Sequence, residues 1–170
     1  RQLAREAPAD ADIVVPVPDS GMGAAMGYAQ ESGLPFEWGL IRNHYVGRTF
    51  IEPSDHIRHL GVKLKHNANR AYLKGKKVVL IDDSIVRGTT LRDSIVSITA
   101  RLKPKRIIIL SSAPQIRYPD CYGIDMSKMK DFVAFQALVQ LLHESGREKL
   151  LQEAYDRCKA SEHSPVEMVR

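Results

Sequence analysis

The sequence predicts an α/β domain with a doubly wound, mostly parallel sheet. Apolar runs rich in Val and Ile alternate with segments of helical character, in the order β-α-β-loop-β-α-β. Two of these runs, residues 78–82 and 106–111, are apolar without alternation, as is typical of strands buried on both faces. Short polar loops follow residues 13–17 and 78–82, and in open α/β sheets such loops at the carboxyl ends of strands hold ligands.

Proline and capping residues define the N-terminal elements. Pro16 and Pro18 end the first strand because proline has no N–H to donate to a sheet ladder. Asp19 or Ser20 is a good N-cap for the next helix, and Gly33 ends that helix. These signals predict the end of a helix at residues 1–7, a strand at 13–17, a helix at 21–32 and a strand at 36–41.

The second half of the chain has the more regular pattern. Gly75 turns the chain into a buried strand, Pro104 follows the end of a helix, and Gly146 separates two further helical segments. These signals predict a strand at residues 78–82, a helix at 90–102, strands at 106–111 and 122–125, and helices at 132–143 and 147–159.

The composition is that of a soluble globular domain: 170 residues, 44% apolar and 26% charged. No apolar run approaches the roughly 20 residues that cross a membrane, and no secretory signal is visible. We therefore expect a cytoplasmic protein and, because the chain begins at Arg1, a piece of a longer one. Cys121 and Cys158 lack a metal-binding spacing, so we expect free thiols and no zinc or iron–sulfur site. Met26 and Trp38 are expected in the core.

The net charge of +5 is concentrated in one segment. Residues 42–77 contain nine Lys or Arg and two acids, which gives +7, while the rest of the chain carries −2. A local excess favours a polyanion bound at one site over a general nucleic-acid surface, and a solvated charged loop is the alternative. Residues 43–72 have weak periodicity and form an unusually long connection, which favours a functional or mobile loop.

Asp82 and Asp83 come directly after an apolar strand, and a glycine-containing turn with hydroxyl side chains follows them. The turn leads to a helix near Thr90, where free backbone N–H groups and the helix dipole favour an anion. This pattern favours a phosphorylated, hydroxyl-rich substrate with Mg²⁺, and an acidic turn and cap is the alternative. The chain lacks the Gly-x-x-x-x-Gly-Lys-Ser/Thr loop of nucleotide hydrolases and the complete Gly-x-Gly-x-x-Gly pattern of dinucleotide binders.

A second loop of the same kind follows the first strand. Asp19, Ser20 and Gly21 lie between this strand and the next helix, so their backbone amides would face an anion and the Ser20 hydroxyl would reach it or its metal ion. Because the carboxyl ends of parallel strands share one edge of the sheet, we expect this loop and the paired acids to meet over one ligand. A proline-bounded turn with an ordinary N-cap is the alternative.

The long basic loop has the composition of a mobile flap. Arg48, Lys65 and Arg70 are interleaved with Tyr45 and Phe50. Such a loop can close over a charged substrate and exclude water. Aromatic and basic residues also bind single-stranded nucleic acid, but the position of this loop between two phosphate-type loops favours the flap.

Several stretches of the chain resemble a known family. Residues 78–90 resemble the phosphoribosyl pyrophosphate signature of type I phosphoribosyltransferases: an apolar run, two acids, and a loop that ends Gly-Thr-Thr. Residues 83–90, Asp-Ser-Ile-Val-Arg-Gly-Thr-Thr, are more specifically similar to those of glutamine phosphoribosylpyrophosphate amidotransferases. Three further stretches support the resemblance: residues 43–51, 67–70 and 122–126.

The resemblance implies roles for the residues of both loops. Asp82 and Asp83 are expected to act in catalysis by contacting the ribose hydroxyls and, together with Ser20, to hold Mg²⁺. Asp19, Ser20 and Gly21 are expected to form the pyrophosphate loop. The expected cradle for the 5-phosphate consists of Ser84, Ile85, Val86, Arg87, Gly88, Thr89 and Thr90.

The resemblance also implies the details of the fold. We expect the type I phosphoribosyltransferase-like sheet, a flexible hood loop over residues 45–70, and C-terminal helices. Within the hood loop, Tyr45 and Arg48 are expected to be catalytic, and Lys65 and Arg70 to bind substrate.

The implied reaction transfers the phosphoribosyl group of 5-phosphoribosyl 1-pyrophosphate to ammonia, which gives 5-phosphoribosylamine and pyrophosphate in purine synthesis. Residues 1–126 would form the phosphoribosyltransferase domain, and residues 127–170 a helical extension packed on it. The family's glutaminase domain, which begins with a cysteine nucleophile, is absent from this chain, so the piece alone would use free ammonia.

The expected partners are the two substrates, a glutaminase domain in the full-length protein and further copies of the chain, with neither nucleic acid nor membrane. No iron–sulfur cluster is expected in this chain. Two alternatives remain open: a phosphoribosyltransferase that acts on a purine or pyrimidine base, and a non-catalytic regulator that senses phosphoribosyl pyrophosphate and binds DNA.

Overall fold

The computed structural model describes residues 1–43, 66–89, 91–120, 126 and 128–160. The chain divides into two compact units, Arg1–Ile116 and Arg117–Arg170. The elements of the first unit are α1 Gln2–Glu6, β1 Ile13–Pro16, α2 Met22–Ser32, β2 Leu40–Arg42, β3 His66–Ala68, α3 Arg70–Leu73, β4 Lys77–Asp82, a π-helical segment Leu91–Val96 that continues as α4 Ser97–Arg101, and β5 Arg106–Ser111. The second unit contains a 3₁₀ turn Met129–Asp131, α5 Val133–Glu144 and α6 Lys149–Ala160.

The first unit is built on a parallel sheet with β4 in the centre. β1 pairs with β4 on one side and β5 pairs with it on the other, both in parallel. Beyond β1, Val14 makes an isolated parallel bridge to Phe36. The predicted α/β fold with a parallel sheet is therefore confirmed, and the carboxyl ends of all three strands lie along one edge.

The central strand is buried on both faces. Residues 78–81 are all 0% exposed, which explains why their sequence is apolar without alternation. Leu80 lies in a core cluster with Ile95 of the helix before β5, whereas Val79 lies in another cluster with Tyr28 of α2. Because successive strand residues point to opposite faces, helices cover both sides of this sheet, as in a doubly wound fold.

The first turn of α2 has no side-chain cap. Its N-cap is Gly21, and no side chain accepts a hydrogen bond there, so the prediction of Asp19 or Ser20 as the N-cap is wrong. Both side chains have other partners, since the Ser20 hydroxyl donates to Asp82 and Asp19 pairs with Arg42. The helix ends at the predicted glycine, which has a φ of 73°.

Met26 and Trp38 are half exposed, at 50% and 52%, so the prediction of both in the core is wrong. The buried side chains of α2 are two alanines and Tyr28, and Met26 lies off this face. Trp38 packs edge-to-face on Phe36 at the rim of the sheet, with the ring centroids 5.7 Å apart.

β2 and β3 form a small antiparallel pair in which Leu40 faces Ala68 and Arg42 faces His66. The strand predicted at residues 36–41 is therefore only partly correct, because regular pairing begins at Leu40. Gly39 explains the close approach of this segment to the main sheet, since a Cβ there would lie 2.9 Å from side-chain atoms of the core.

The second unit contains the two predicted C-terminal helices. α5 and α6 agree with the predictions within two residues at each end, and Gly146 lies between them with a φ of 65°. The strand predicted at residues 122–125 lies outside the described residues, as does Cys121. The domain boundary predicted at residue 126 stays a prediction. Among the described residues, no helix is both long and apolar enough to cross a membrane.

Candidate active site

The loop after β1 lies directly against the end of β4. The backbone N–H of Val17 donates to the carbonyl oxygen of Ile81 at 2.8 Å, which extends the contact between the two strands. Gly21 approaches the same carbonyl so closely that a Cβ would lie 2.1 Å from its oxygen. Only glycine fits at this position, and the peptide bond between Pro18 and Asp19 is cis.

Ser20 and Asp82 join the two predicted loops. The Ser20 hydroxyl donates to Asp82 Oδ1 at 3.1 Å, and the backbone N–H of Asp83 donates to the same oxygen at 2.9 Å. The loop after β1 and the paired acids are therefore brought together at one edge, although Ser20 and Asp82 are 62 positions apart in the chain.

Burial dominates the electrostatics of Asp82. It raises the pKa of Asp82, and the charge of Asp83 raises it further, whereas the hydrogen bonds from the Asp83 N–H and Ser20 lower it. Within the part of the chain that the structure describes, neither carboxylate forms an ion pair with a Lys, Arg or His. Two neighbouring carboxylates without a counter-charge are suited to a cation.

The turn after the paired acids folds back onto Asp83. The N–H and hydroxyl of Ser84 lie 2.6 Å and 3.4 Å from Asp83 Oδ1. Gly88 has a φ of 71°, which favours glycine, and its carbonyl accepts from the Arg92 N–H at 2.9 Å. The turn thus ends at the start of the helix, where an anion is favoured. The other predicted cradle residues that the structure describes lie in this turn: Ile85, Val86, Arg87 and Thr89.

A third loop, after β5, supports the paired acids and was missed by sequence reasoning. The Ser112 N–H donates to the Asp82 carbonyl at 3.0 Å, and the Ala113 N–H donates to the Asp83 carbonyl at 2.7 Å. The hydroxyls of Ser112 and Ser111 also reach the Asp83 carbonyl, at 3.1 Å and 3.4 Å. A pair of serines at the end of a strand next to the acidic strand was the available signal.

Arg42 was also missed as a site residue. Its Nη1 lies 2.6 Å from Asp19 Oδ2, so β2 holds the loop after β1 from the other side. The Arg42 Nε is buried and has no hydrogen-bond partner among the described residues. The position of this arginine at the end of a predicted strand was the only sequence signal.

The structure does not bring Arg70 to the paired acids. β3 runs antiparallel to β2 and so leads away from the carboxyl edge, and Arg70 begins the helix that follows it. From there the chain turns through Gly75 into the amino end of β4. The other predicted site residues lie outside the described part of the chain: Tyr45, Arg48, Lys65 and Thr90. Most of the predicted hood loop lies there too.

The candidate site lies in a region that matches a known protein family. A family profile described as the phosphoribosyl transferase domain matches residues 1–135. The chain belongs to this family. All three loops of this phosphoribosyl transferase domain's candidate site lie inside the matched region.

Two relatives of this domain are amidophosphoribosyltransferases. The amidophosphoribosyltransferase of Rhizobium etli is 59% identical over 134 residues, which cover 79% of this chain and 27% of that protein. The amidophosphoribosyltransferase of Methanocaldococcus jannaschii is 50% identical over 132 residues, which cover 78% of this chain and 28% of that protein. The chain thus spans less than a third of the length of these curated relatives.

Solved structures agree on the fold of the phosphoribosyl transferase domain. The glutamine phosphoribosylpyrophosphate amidotransferase from B. subtilis, complexed with ADP and GMP, superposes with a TM-score of 0.68 at 44% identity, and the match covers 84% of this chain and 31% of that one. A structure of the allosteric regulatory enzyme of purine biosynthesis gives a TM-score of 0.66 at 48% identity over 78% of this chain and 28% of that one. The predicted resemblance to type I phosphoribosyltransferases is confirmed.

Proposed function

We propose that this domain transfers the phosphoribosyl group of 5-phosphoribosyl 1-pyrophosphate to ammonia, with 5-phosphoribosylamine and pyrophosphate as products. The observation that carries the proposal is the hydrogen bond between Ser20 and Asp82, because it joins the two loops that the substrate would need at its two ends. The names of the two relatives support the choice of ammonia as acceptor.

Each loop takes one part of the substrate. The turn from Ser84 to Thr89 leads to the start of a helix and, with Thr90, would hold the 5-phosphate. Asp82 and Asp83 would meet the ribose hydroxyls, since carboxylates accept hydrogen bonds from hydroxyl groups. The loop around Ser20 would hold the pyrophosphate against the end of β4.

The residues at this edge fit a magnesium ion. Carboxylate and hydroxyl oxygens are the ligands that Mg²⁺ prefers, and Asp82, Asp83 and Ser20 supply them without a competing basic side chain in the described residues. Among the described residues, no group of three or more His, Cys, Asp or Glu could hold a metal. Mg²⁺ does not need such a group, because it binds to one or two carboxylates and takes its other ligands from water and substrate phosphates. Bound there, it would neutralise the leaving pyrophosphate.

The protein's own contribution would be position and charge rather than a strong base. Positive charge grows on the ribose ring as the pyrophosphate departs, and the carboxylates of Asp82 and Asp83 would lie beside it. Ammonia attacks as a neutral nucleophile, so no histidine base is required. Tyr45, Arg48 and Lys65 of the hood loop would cover the substrate and keep water from the reactive carbon.

The longer protein would supply the remaining parts. We propose that a glutaminase domain provides ammonia, that the protein works as a homo-oligomer, and that it is cytoplasmic. The chain spans 27% of the Rhizobium etli relative, which leaves room for such a domain in a full-length protein of that size.

The test combines a binding and a turnover measurement on the 170-residue chain. Calorimetry should show that phosphoribosyl pyrophosphate binds with Mg²⁺, and pyrophosphate release should depend on ammonium. Asp83→Asn should reduce both by at least about 100-fold, because it removes a charge needed by the metal and the transition state. Asp156→Asn is the matched control, since Asp156 is an exposed carboxylate on α6 that accepts a hydrogen bond from Gln152.

Three outcomes would decide against parts of the proposal. An Asp83→Asn protein that binds substrate normally would remove the paired acids from the site. If pyrophosphate release required a purine or pyrimidine base, that base would be the acceptor in place of ammonia. Absence of any binding to phosphoribosyl pyrophosphate would reject the function as a whole.

A further inference from the structure

Four of the five residues that line a cavity of about 240 Å³ in the first unit are basic. Its walls consist of Arg70, Lys74, Arg101, Leu102 and Lys103. We propose that this cavity is a second anion site, separate from the substrate site, and that it takes the phosphate group of a small molecule. The proposal does not depend on the proposed function, because none of these residues belongs to the three loops at the carboxyl edge.

The cavity lies at the amino edge of the sheet. Lys74 comes just before β4, and Lys103 comes just before β5, so both precede strands whose far ends carry the paired acids and the serine loop. β4 extends from Lys77 to Asp82, and five steps of about 3.3 Å place its two ends roughly 16 Å apart. A ligand at the cavity would therefore not touch a ligand held by Asp82.

The charges of the cavity are not compensated within the described residues. None of the residues of the cavity forms an ion pair with another described residue, unlike Arg5, Arg42, Lys77 and Arg92. Four like charges around one cavity repel one another and produce a positive potential that a bound anion would relieve. The arginines offer planar, two-point hydrogen bonding to phosphate, and the lysines offer mobile point charges.

Hydrogen-bonded turns hold the cations in place. The Gly75 N–H donates to the Lys103 carbonyl at 3.0 Å, and the Lys103 N–H donates to the Ala100 carbonyl at 3.0 Å. The turn after α3 is thereby fixed to the turn after α4. Basic residues of both turns consequently line the same cavity.

Lys103 occupies a backbone conformation that glycine would adopt at lower cost. Its φ is 54°, whereas the other described residues with positive φ are all glycine: Gly33, Gly75, Gly88 and Gly146. A lysine at such a position destabilises the turn, which is consistent with a use of its side chain elsewhere. Anion binding by the ammonium group gives it a use.

The size and shape of the cavity favour a small phosphate over a nucleic acid. A nucleic-acid surface presents cations along a groove or ridge that follows a repeating backbone, whereas these four cations line one small, half-open cavity. Free pyrophosphate and the phosphates of a nucleotide share the required chemistry. The nucleobase has no aromatic partner among the lining residues, so pyrophosphate and a nucleoside diphosphate should bind with similar affinity.

The experiment is a two-dimensional ¹H–¹⁵N NMR titration of the 170-residue chain with pyrophosphate, and separately with a nucleoside diphosphate, in a buffer with fixed salt. The amide signals of Gly75 and Lys103 should shift and saturate. The double variant Arg101→Gln and Lys103→Gln should weaken this binding at least tenfold. The chemical-shift change of the Gly88 amide, which lies in the candidate substrate site, should stay the same. Lys128→Gln with Lys130→Gln is the matched control, because it removes the same charge from the second unit.

A second variant separates binding from folding. Lys103→Gly should raise the melting temperature, because glycine relieves the positive φ, and should still weaken pyrophosphate binding at Gly75 several-fold. Shifts that never saturate, that the chloride ion reproduces, or that survive both cavity variants would overturn the proposal. The proposed function is tested by a separate titration with phosphoribosyl pyrophosphate. If this substrate failed to shift the Gly88 amide signal, the result would count against the proposed function and leave the second anion site standing.

Discussion

Ser20 illustrates how one side chain can serve a site at the expense of a helix. A serine before a helix normally accepts a hydrogen bond from the first turn. In the structure its hydroxyl is a donor to Asp82, at 3.1 Å, and the helix begins without a side-chain cap. The cost of an uncapped helix is consistent with a functional demand on that hydroxyl.

Asp82→Asn should not destabilise the protein in the absence of metal. The asparagine carbonyl can still accept from Ser20 and from the Asp83 N–H, while the cost of burying a charge disappears. We expect the free energy of unfolding at pH 7 to stay equal or rise by up to about 1 kcal/mol, a figure that allows for solvent screening of a half-buried group. Urea denaturation with a chelator present measures it.

The pH dependence of the same variant checks the physical cause. Because burial raises the pKa of Asp82 in the folded protein, the unfolded chain releases this proton first as the pH rises. Its contribution therefore lowers stability between the unfolded and the folded pKa, and the loss is complete above the folded value. Asp82→Asn should therefore become more stable than the parent as the pH rises from acid to neutral. A difference that is largest in acid would contradict the assignment.

Ser112→Ala should weaken the support of the paired acids without unfolding the domain. It removes a hydroxyl that lies 3.1 Å from the Asp83 carbonyl, while the backbone hydrogen bonds of the third loop remain. We expect a loss of about 0.5–1.5 kcal/mol in stability and a higher Mg²⁺ requirement for substrate binding. Ser111→Ala is the control, and its effect on the Mg²⁺ requirement should be smaller because its hydroxyl lies 3.4 Å from the Asp83 carbonyl and donates at 3.0 Å to the Ala113 carbonyl instead. Equal Mg²⁺ curves for Ser112→Ala and the parent would reject the positioning role.

At the level of elements, sequence reasoning succeeded where burial imposes a simple pattern. The uninterrupted apolar character of residues 78–81 predicted β4, and these residues are fully buried. Gly33 and Gly146 predicted the ends of helices, and both have positive φ. It was only partly correct at residues 36–41, where a segment at the rim pairs at one residue and then joins a different sheet. Pairing partners 22 or more positions away leave no periodic signal in such a segment.

The site was predictable to a similar degree. Asp82, Asp83 and the turn to Gly88 form one continuous motif, and its composition indicates the chemistry. Arg42 and Ser112 reach the site from β2 and from the loop after β5, so their roles depend on which strands become neighbours. Local sequence cannot supply that information, because the neighbours are set by packing of the whole sheet.

The contact between the loop after β1 and the end of β4 can be tested by glycine substitution. Gly21→Ala would place a methyl group 2.1 Å from the Ile81 oxygen, so the loop must move away from β4. We expect a loss of about 1–3 kcal/mol in stability, with substrate binding reduced further because Ser20 is displaced from Asp82. Chemical denaturation and calorimetry measure the two effects.

Gly23→Ala provides the matched control on the same helix. Its Cβ would meet nothing within 4 Å, and alanine favours a helix, so stability should rise by roughly 0.5–1 kcal/mol. A Gly21→Ala protein as stable as Gly23→Ala would show that the close approach to β4 is not present in solution.

At the scale of the whole molecule, the sheet separates charges of opposite sign along its strands. Asp82 and Asp83 lie at the carboxyl edge, and the cations of the cavity lie at the amino edge. Electrostatic attraction would therefore bring a metal-bound substrate to one edge and a free phosphate to the other. The two classes of ligand need not compete.

Substrate binding should stabilise the fold in proportion to its affinity. With phosphoribosyl pyrophosphate and Mg²⁺ at about 100 times the dissociation constant, the gain is about 2.7 kcal/mol, which corresponds to a rise of roughly 5 °C or more in the melting temperature. Thermal denaturation monitored by circular dichroism measures it, and Asp83→Asn should abolish most of the rise. A rise of the same size without Mg²⁺ would exclude a metal-assisted site.

The hydrogen bond between Ser20 and Asp82 also has a consequence for folding kinetics. It joins residues that are 62 positions apart in the chain. A parallel pair of strands separated by so many residues forms slowly compared with a helix or hairpin. Partly folded chains that have their helices but lack the pairing of β1 with β4 would have no substrate affinity. Ligand affinity appearing during refolding would then mark the moment at which the chain attains its native topology.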